Sequence, residues 1–453
     1  MRILLYLGLS LALFCSLAFA DHHKGQGRRD GNKDDHESKD DPQQPRGGHH
    51  RHHGHLHGHQ RGHHHGHHHG HHRHHHHHGN ETLACHKLAD SNSNFAFDLF
   101  RQVAADHSSE NIVLSPVSIS TALALLSLGA EGKTQAQIIE GIGFNTSEIS
   151  KKEIHDGFQH LLEVLNDDDD SELHVDSGNG LFISHGWKIL DDFLQKAKDL
   201  YDSEAVTVDF QNNEEVKNQI NSYVAQKTDG KITDALSTVD KEAALVLVNF
   251  IYFRANWKNP FDENLTKEGD FHVNKDETVK VPFLSRTGFY KTAILDDATL
   301  VAVPYEGNAS ALFVLPNEGK LKEVESNLKY LVKKWKRSSH SSFVDLSIPK
   351  FSVSGSFDLK QVLPKFGIVD LFSDGADLSG ITGAPNLKIS QALHKAKINV
   401  NERGTEAAGA TIAEGVPMMI PIEITFNHPF IFTVYNQETR SVLFMGRVSN
   451  PAI

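Results

Sequence analysis

Cysteine is almost absent from this chain, which has two among its 453 residues. One of them, Cys15, lies in a segment with the features of a secretion signal. Arg2 precedes an apolar stretch over residues 3–17 and a small-residue cleavage site, so we predict that residues 1–20 are removed. Cys85 is then the last cysteine, which excludes a disulfide scaffold and leaves burial to stabilise the fold. Its thiol is either incidental or a site for mixed disulfides, dimerisation or metal capture.

Several other signals are missing as well. After the signal no segment is apolar over the roughly 20 residues that cross a bilayer, so we expect no membrane span. Acidic residues outnumber Lys and Arg by 58 to 45, which argues against a nucleic-acid partner. The chain also lacks a nucleophile elbow, a His-Glu-x-x-His zinc motif and a phosphate-binding glycine loop. We therefore predict no enzyme activity and no required cofactor.

Histidine, by contrast, is abundant, and 20 of the 33 histidines lie within residues 49–78. Residues 21–86 form a tail with too little apolar surface to fold, so we predict that it is disordered. Neutral imidazoles bind Zn, Cu or Ni, and imidazoles protonated below about pH 6 attract anionic glycans or membrane surfaces. The candidate metal ligands are His63, His64, His65, His67, His68, His69, His74, His75, His76, His77 and His78.

Residues 87–453 form the body, in which amphipathic helix patterns alternate with apolar strand patterns. We predict an α+β fold with a large sheet, and no linker divides the body. The predicted helices cover 93–106, 119–128 and the turns around 216–224, and the predicted strands cover 245–253, 343–353, 395–400, 422–434 and 439–448.

Four Asn-x-Ser/Thr sequons are typical of a secreted glycoprotein. They begin at Asn80, Asn145, Asn264 and Asn308. Together with the signal, they predict an extracellular protein that carries N-linked glycans.

The stretch from 402 to 421 is unusual for a connection between two strands, because loops of about 20 residues inside a domain are uncommon. Its alternate residues from Thr405 to Gly415 are all small. A strand with one small face could slide into an existing sheet beneath a packed helix, and Gly404 would give it a hinge.

Two adjacent methionines, Met418 and Met419, follow Pro417 near the end of this stretch. Methionine is flexible and apolar, so a pair of them in a loop indicates exposed bait for another protein. Methionine also oxidises to a polar sulfoxide, which would weaken such an interaction.

Four segments of the body resemble the serpin family. They read NIVLSPVSI at 111–119, LVNFIYFRANWKNPF at 247–261, ADLSGI at 376–381 and FNHPFIF at 426–432. The resemblance covers about residues 90–453 and leaves out the tail. It implies a serpin fold with large mixed β-sheets, about nine helices and an exposed reactive loop.

The resemblance implies an extracellular inhibitor that acts on serine proteases as a suicide substrate. The protease attacks the bond after a bait residue and forms an acyl-enzyme, and the cleaved loop then inserts into the main sheet and traps it. By similarity the bait residue is Met418 and the cleaved bond is Met418–Met419, which favours elastase or chymotrypsin-like proteases. We expect a monomer.

The resemblance also implies roles for supporting residues. The loop hinge comprises Glu402, Gly404, Thr405, Ala407, Ala408, Gly409, Ala410 and Thr411. The residues that control sheet opening are a polar cluster of Ser115, Ser118, Asn249 and His394, with Trp257 at the top of the opening. An ion pair between Lys350 and Glu402 would lie at the base of the loop.

Two other functions stay open. A non-inhibitory serpin could carry a hormone or another small ligand, although carriers often place bulky or charged residues where this chain has Thr405 and 407–410. The His-rich tail could instead make this a metal-binding plasma protein. The acidic run at 167–170 argues against heparin activation through the helix that precedes it.

Overall fold

The computed structural model describes residues 83–166, 173–405 and 419–453. The predicted signal, the His-rich segment and the acidic run at 167–170 lie outside the described residues. The helices of the described part are α1 (Ala89–Asp106), α2 (Pro116–Gly129), α3 (Gly132–Gly141), α4 (Lys151–Leu165), α5 (Asp191–Tyr201), α6 (Asn213–Lys227), α7 (Leu321–Ser338), α8 (Leu359–Val362) and α9 (Ser379–Thr382).

The strands of the described part form two mixed sheets. They are β1 (Ile112–Leu114), β2 (Leu173–Ser184), β3 (Glu204–Val208), β4 (Leu245–Asn256), β5 (Lys267–His272), β6 (Thr278–Ile294), β7 (Ala298–Pro304), β8 (Ala309–Pro316), β9 (His340–Pro349), β10 (Phe351–Asp358), β11 (Gln391–Val400), β12 (Gly404–Thr405), β13 (Ile422–Thr425), β14 (Phe430–Asn436) and β15 (Ser441–Val448).

The larger sheet has nine strands, in the order β1-β15-β14-β8-β7-β6-β9-β13 with β5 beside β6. The smaller sheet has six, in the order β10-β11-β4-β2-β3 with β12 beside β4. In the smaller sheet β11 runs parallel to β4, and β2 and β12 run antiparallel to β4. The predicted α+β class, with large mixed sheets and about nine helices, is thus confirmed for the part of the chain that is described.

The central strand of the smaller sheet is β4, as its continuous apolar run predicts for a strand buried on both faces. Val248 and Phe250 pack with residues of α6, whereas Leu247 faces the main core together with residues of α2. Helix α2 is buried over nearly its whole length. It begins with Pro116 in its first turn, where a missing N–H costs nothing. This packing places the start of α2 against the middle of β4.

Two of the predicted strands are wrong in extent. The pattern at 343–353 predicts one strand, but β9 ends at Pro349 and β10 begins at Phe351 in the other sheet. Proline has no N–H for a ladder, and the Lys350 N–H bonds to the Pro282 carbonyl instead. The strand predicted at 422–434 likewise divides into β13 and β14, with Pro429 in the gap.

No helix within 83–166, 173–405 or 419–453 is both long enough and apolar enough to cross a membrane.

Candidate functional site

The candidate loop leaves one sheet and arrives at the other. Strand β11 ends at Val400, and β12 then pairs Gly404 with Asn256 and Thr405 with Ala255 at the end of β4. The chain is described again from Met419, and β13 pairs with β9 in the larger sheet. The intervening residues 406–418 lie outside the described residues. They include the predicted reactive residue, Met418, and the predicted hinge residues Ala407, Ala408, Gly409, Ala410 and Thr411.

Gly404 fixes the start of β12. Its φ of +139° is a conformation that residues with a side chain rarely adopt. A Cβ at this position would lie 2.2 Å from the Ala255 carbonyl oxygen and 2.7 Å from the Trp257 nitrogen. Because both are backbone atoms, only glycine lets the chain approach β4 this closely.

Trp257 anchors the turn between β11 and β12. Its indole N–H donates to the Asn401 carbonyl at 2.9 Å, and its backbone N–H donates to the Arg403 carbonyl at 2.8 Å. The indole stacks on Tyr305 with ring centres 4.2 Å apart and an angle of 11° between the planes. The turn is therefore attached to a buried aromatic pair, and Trp257 lies at the end of β4 where β12 begins.

Glu402 forms the ion pair at the base of the loop. Its carboxylate lies 3.1 Å from the Lys350 ammonium and accepts a hydrogen bond of 2.9 Å from the Thr266 hydroxyl. Burial raises the pKa of Glu402, but hydrogen bonds from its own backbone N–H, Lys350 and Thr266 outweigh that effect, so the pKa is lowered. The carboxylate is thus held in its charged form.

A buried polar cluster joins β11, β4 and the start of α2. His394 and Asn249 are register partners on the parallel strands, and the His394 Nδ1 lies 2.6 Å from the Asn249 Oδ1. The Asn249 amide donates to the Ser118 hydroxyl at 2.8 Å and to the Asn179 Oδ1 at 2.7 Å. The Ser115 hydroxyl caps α2 by accepting from the Ser118 N–H at 3.3 Å.

The hydrogen bonds define the tautomer of His394. The Ser115 backbone N–H donates to the His394 Nε2 at 3.0 Å, so that nitrogen carries no proton. Nδ1 then carries the proton and donates to the Asn249 Oδ1. Complete burial lowers the pKa of His394 to about 3, so the ring is neutral at physiological pH.

The sites predicted for glycans are exposed where they are described. Asn145, Asn264 and Asn308 are all exposed, whereas Asn80 lies outside the described residues. Near the predicted cleavage site Met419 is 60% exposed and Ile420 is 95% exposed. These side chains are therefore accessible to another protein.

Cys85 is fully buried and free, and burial raises the pKa of its thiol to about 11. A protonated, enclosed thiol is a poor nucleophile and a poor metal ligand, which argues against mixed disulfides, dimerisation and metal capture at this residue.

The candidate metal ligands in the tail, His63 to His78, lie outside the described residues. In the described part no group of three or more His, Cys, Asp or Glu residues is placed to hold a metal ion.

Sequence reasoning missed several members of the site. Asn179, Thr266, Tyr305 and Asn401 each contact a predicted residue but lie far from it in the chain or in an unmarked turn. For Asn179, a polar residue between two glycines of β2 was the available signal. Nothing in the sequence marks Thr266 as the partner of Glu402.

Residues 90–451 match the family described as Serpin (serine protease inhibitor). The alpha-1-antiproteinase of Callosciurus caniceps is 46% identical over 377 residues, which cover 82% of this chain and 91% of that protein. The alpha-1-antitrypsin of Sus scrofa is 45% identical over 375 residues, which cover 82% of this chain and 89% of that protein.

Solved structures give the same result. Human thyroxine-binding globulin, in complex with its ligand, has a TM-score of 0.77 and 39% identity, and the match covers 81% of this chain and 99% of that one. Human kallistatin has a TM-score of 0.76 and 37% identity, and the match covers 82% of this chain and 99% of the kallistatin chain. The match spans both sheets, the polar cluster and both ends of the loop, and the chain therefore belongs to the serpin family.

Proposed function

We propose that this protein is a secreted inhibitor of serine proteases, and that it acts as a suicide substrate cleaved between Met418 and Met419. The position of β12 carries this proposal. Its two residues pair antiparallel with the end of β4, just beyond Tyr252, where the pairing between β11 and β4 stops. After Glu406 the sequence continues with a run of small residues, 407–411. The loop thus begins where a new strand would enter the sheet.

The reaction is the protease's own peptide-bond cleavage, stopped at the acyl-enzyme stage. The protease serine oxygen attacks the carbonyl carbon of Met418, the bond to the Met419 nitrogen breaks, and the protease base delivers a proton to the leaving amine. An ester then joins Met418 to the protease. Insertion of the loop between β4 and β11 before water hydrolyses the ester would leave the protease attached, driven by new ladder hydrogen bonds and released strain.

In this mechanism the polar cluster controls the opening of the sheet. His394 on β11 and Asn249 on β4 bond across the two strands that a new strand would separate. The Lys350–Glu402 pair and Trp257 hold the base of the loop until insertion begins. These are control residues in the inhibitor, and none of them reacts with the protease.

The residue at the cleaved bond sets the choice of protease. Methionine is apolar and unbranched, which suits the pockets of elastase and chymotrypsin-like enzymes. Trypsin-like enzymes require a cation at this position. We therefore propose elastase or chymotrypsin-like proteases as targets.

The test mixes the purified protein with elastase, chymotrypsin and trypsin separately, followed by denaturing gels. The expected result is a band stable to SDS at the summed mass with elastase or chymotrypsin, and a new N-terminus at Met419. The matched variant Thr405→Arg should be cleaved at the same bond without forming the covalent band, because a bulky cation hinders insertion. Clean cleavage of the unmodified protein with no covalent band would contradict the proposal.

A second candidate function, carriage of a small ligand, is favoured by one cleft. The cleft, of about 480 Å³, lies between α1, α7 and strands of the larger sheet. Phe97 and Phe289 line it, and the buried Trp335 indole N–H has no hydrogen-bond partner among the described residues. Its size and its largely apolar lining suit a small ligand. Fluorescence titration with 8-anilinonaphthalene-1-sulfonate, compared between the unmodified protein and Trp335→Phe, tests this candidate.

We propose divalent metal binding as a separate property of the tail. Clustered imidazoles in 49–78 support it, because neutral imidazole binds Zn, Cu and Ni. Calorimetric titration with zinc chloride should lose its signal when residues 21–79 are deleted, whereas the rate of elastase inhibition should not change. If the deletion also abolished inhibition of elastase, the tail would be part of the inhibitory machinery. The same deletion tests the attraction of anionic glycans to the protonated tail below about pH 6.

A further inference from the structure

Two lysines of β11 lie on the outer face of the smaller sheet. Lys395 and Lys397 are two residues apart, so their side chains share one face of the strand, with Cα atoms roughly 7 Å apart. Both contact the loop that follows α6, here called the 228–236 loop. The Lys395 ammonium lies 3.7 Å from the Asp234 carboxylate, and the Lys397 ammonium donates to the Lys231 carbonyl at 3.2 Å. Two positive charges are therefore held close together at this loop.

Lys395 is unusual for a lysine because it is nearly buried and poorly paired. Its side chain is 12% exposed, whereas that of Asp234 is 83% exposed. A separation of 3.7 Å is too long for a hydrogen bond, and among the described residues the Lys395 ammonium has no hydrogen-bond partner. An enclosed charge without hydrogen bonds is costly, and such groups are rare in native structures. A bound anion would supply the missing partner.

The neighbouring strand β10 places hydroxyl groups beside these lysines. In the antiparallel register Ser354 lies opposite Lys397, and Ser356 lies opposite Lys395. Side chains in such positions share a face, with Cβ atoms roughly 5 Å apart. Both serines are exposed, and within the part of the chain that is described neither hydroxyl has a hydrogen-bond partner. The hydroxyl of Ser352, by contrast, bonds to the side chain opposite it. Two hydroxyl donors are thus unused beside two ammonium groups.

The difference in side-chain length leaves space above β10. The two serines are short, whereas the two lysines of β11 extend to the 228–236 loop. The four donors span roughly 7 Å along the strands and roughly 5 Å across them, which fits one or two tetrahedral oxyanions. This area is too short for an extended polyanion. Asp358 shares this face of β10, but its carboxylate caps α8 by accepting from the Lys360 N–H at 3.0 Å.

We propose that Lys395, Lys397, Ser354 and Ser356 form a binding site for a diphosphate group, as in inorganic pyrophosphate or a nucleoside diphosphate. A phosphoryl group carries negative charge and strong acceptor oxygens, so it suits one ammonium and one hydroxyl. The two Lys–Ser pairs follow one another along the ladder, which matches two linked phosphoryl groups. A carboxylate ligand fits less well, because its two oxygens would leave donors of the site unused.

This proposal does not depend on protease inhibition. It also differs from an attraction of anions to the protonated tail, because lysine is charged at pH 7.4 and most histidines are not. A bound diphosphate would neutralise the repulsion between the two lysines. Because the site forms only in the folded sheet, the ligand would stabilise the folded protein by mass action. The stability of the secreted protein would then depend on the concentration of diphosphate outside the cell.

The test titrates pyrophosphate into the full-length protein by calorimetry at pH 7.4 and constant ionic strength, with EDTA present to remove metal from the tail. The lysine variant carries Lys395→Gln and Lys397→Gln. The control carries Lys188→Gln and Lys275→Gln, which remove the same charge from exposed lysines elsewhere. We expect the unmodified protein and the control to have the same Kd. The Kd of the lysine variant should be raised at least about tenfold, because two charge-assisted hydrogen bonds are lost.

A serine variant, Ser354→Ala with Ser356→Ala, separates a built site from general attraction by charge. It keeps both lysines and changes only exposed side chains, so it should fold even if the lysine variant does not. We expect its Kd for pyrophosphate to rise at least about threefold, because two hydroxyl donors are lost. Pyrophosphate should also raise the thermal midpoint of the unmodified protein and leave that of the lysine variant unchanged.

Three results would overturn the proposal. They are equal Kd values in the lysine and control variants, an unchanged Kd in the serine variant, and equal affinity of the unmodified protein for citrate at the same ionic strength. In each case the surface would select charge alone, or would not bind at all. Equal affinity for pyrophosphate and ADP would support recognition of the diphosphate group itself, whereas tighter binding of ADP would identify a nucleoside diphosphate as the ligand.

Discussion

His394 is a neutral base enclosed between two strands, and its pKa makes stability depend on pH. Its folded pKa of about 3 lies below the ordinary value of about 6.5. Between those values the unfolded chain binds a proton that the folded protein does not. The contribution of His394 is therefore full above pH 6.5 and declines as pH falls towards 3, by about 1.4 kcal/mol per pH unit.

We accordingly expect His394→Gln to flatten the acid side of the stability profile. Urea unfolding at pH 8 and pH 5 should show that the unmodified protein loses about 2 kcal/mol more than the variant over this interval. The exposed His340→Gln is the control and should behave like the unmodified protein. An equal loss in the His394 variant would mean that the ring is already protonated at pH 5 in the fold.

Oxidation of Met418 should slow inhibition, if Met418 occupies the protease pocket. A sulfoxide is polar and would cost at least about 1.4 kcal/mol in an apolar pocket, so the rate constant with elastase should fall at least about tenfold. The variant Met418→Leu should resist the oxidant, and Met419→Leu should stay sensitive. If mass spectrometry shows that Met418 is oxidised and the rate constant of elastase inhibition is unchanged, Met418 is excluded as the bait residue.

At the scale of elements, the sequence predicts interiors better than ends. The apolar run of β4 and the periodic face of α1 were both found, although α1 begins at Ala89, earlier than the predicted 93. The strands at 343–353 and 422–434 were each predicted as one, because side-chain patterns continue across Pro349 and Pro429. Which sheet each half joins depends on contacts far along the chain, and no local pattern contains them.

The two-residue strand β12 depends on glycine, and this gives a test at the element scale. Gly404→Ala would place a Cβ against the backbone of β4 at a φ of +139°, so β12 must move away. We expect a loss of about 1–3 kcal/mol in urea unfolding. Gly186→Ala, at a glycine with open space around it, should stay within about 0.5 kcal/mol of the unmodified protein. Equal effects would show that β12 tolerates a side chain.

At the scale of the whole molecule, the fold class followed from the alternation of helix and strand patterns, and the family followed from four separated segments. The polar cluster could not be predicted from the spacing of its residues along the chain. Ser115, Asn249 and His394 lie far apart in the chain, and the two parallel strands and the start of α2 bring them together. Asn179 completes the cluster and was missed, since its strand pairing could not be read from the sequence.

The same sheet leads to a prediction about the whole molecule. Strands β4 and β11 pair over Gln391 to Lys397, and an inserted loop would exchange this single ladder for two. A net gain of about ten hydrogen bonds would stabilise the protein by roughly 10 kcal/mol. For a domain of this size that corresponds to a rise of roughly 10–15 °C in the thermal midpoint.

The stabilisation by loop insertion can be measured by itself when the loop is cut without trapping a protease. Limited digestion with a protease that cleaves within 406–418 but forms no complex should raise the thermal midpoint measured by calorimetry. The matched Thr405→Arg protein, cut at the same bond, should keep the midpoint of its uncut form, because the arginine hinders entry of the strand. If both cut proteins keep their midpoints, the loop does not insert, and the cleft between α1 and α7 becomes the better guide to function. If only the unmodified protein gains stability, the energy that traps a protease is present in the fold before any protease arrives.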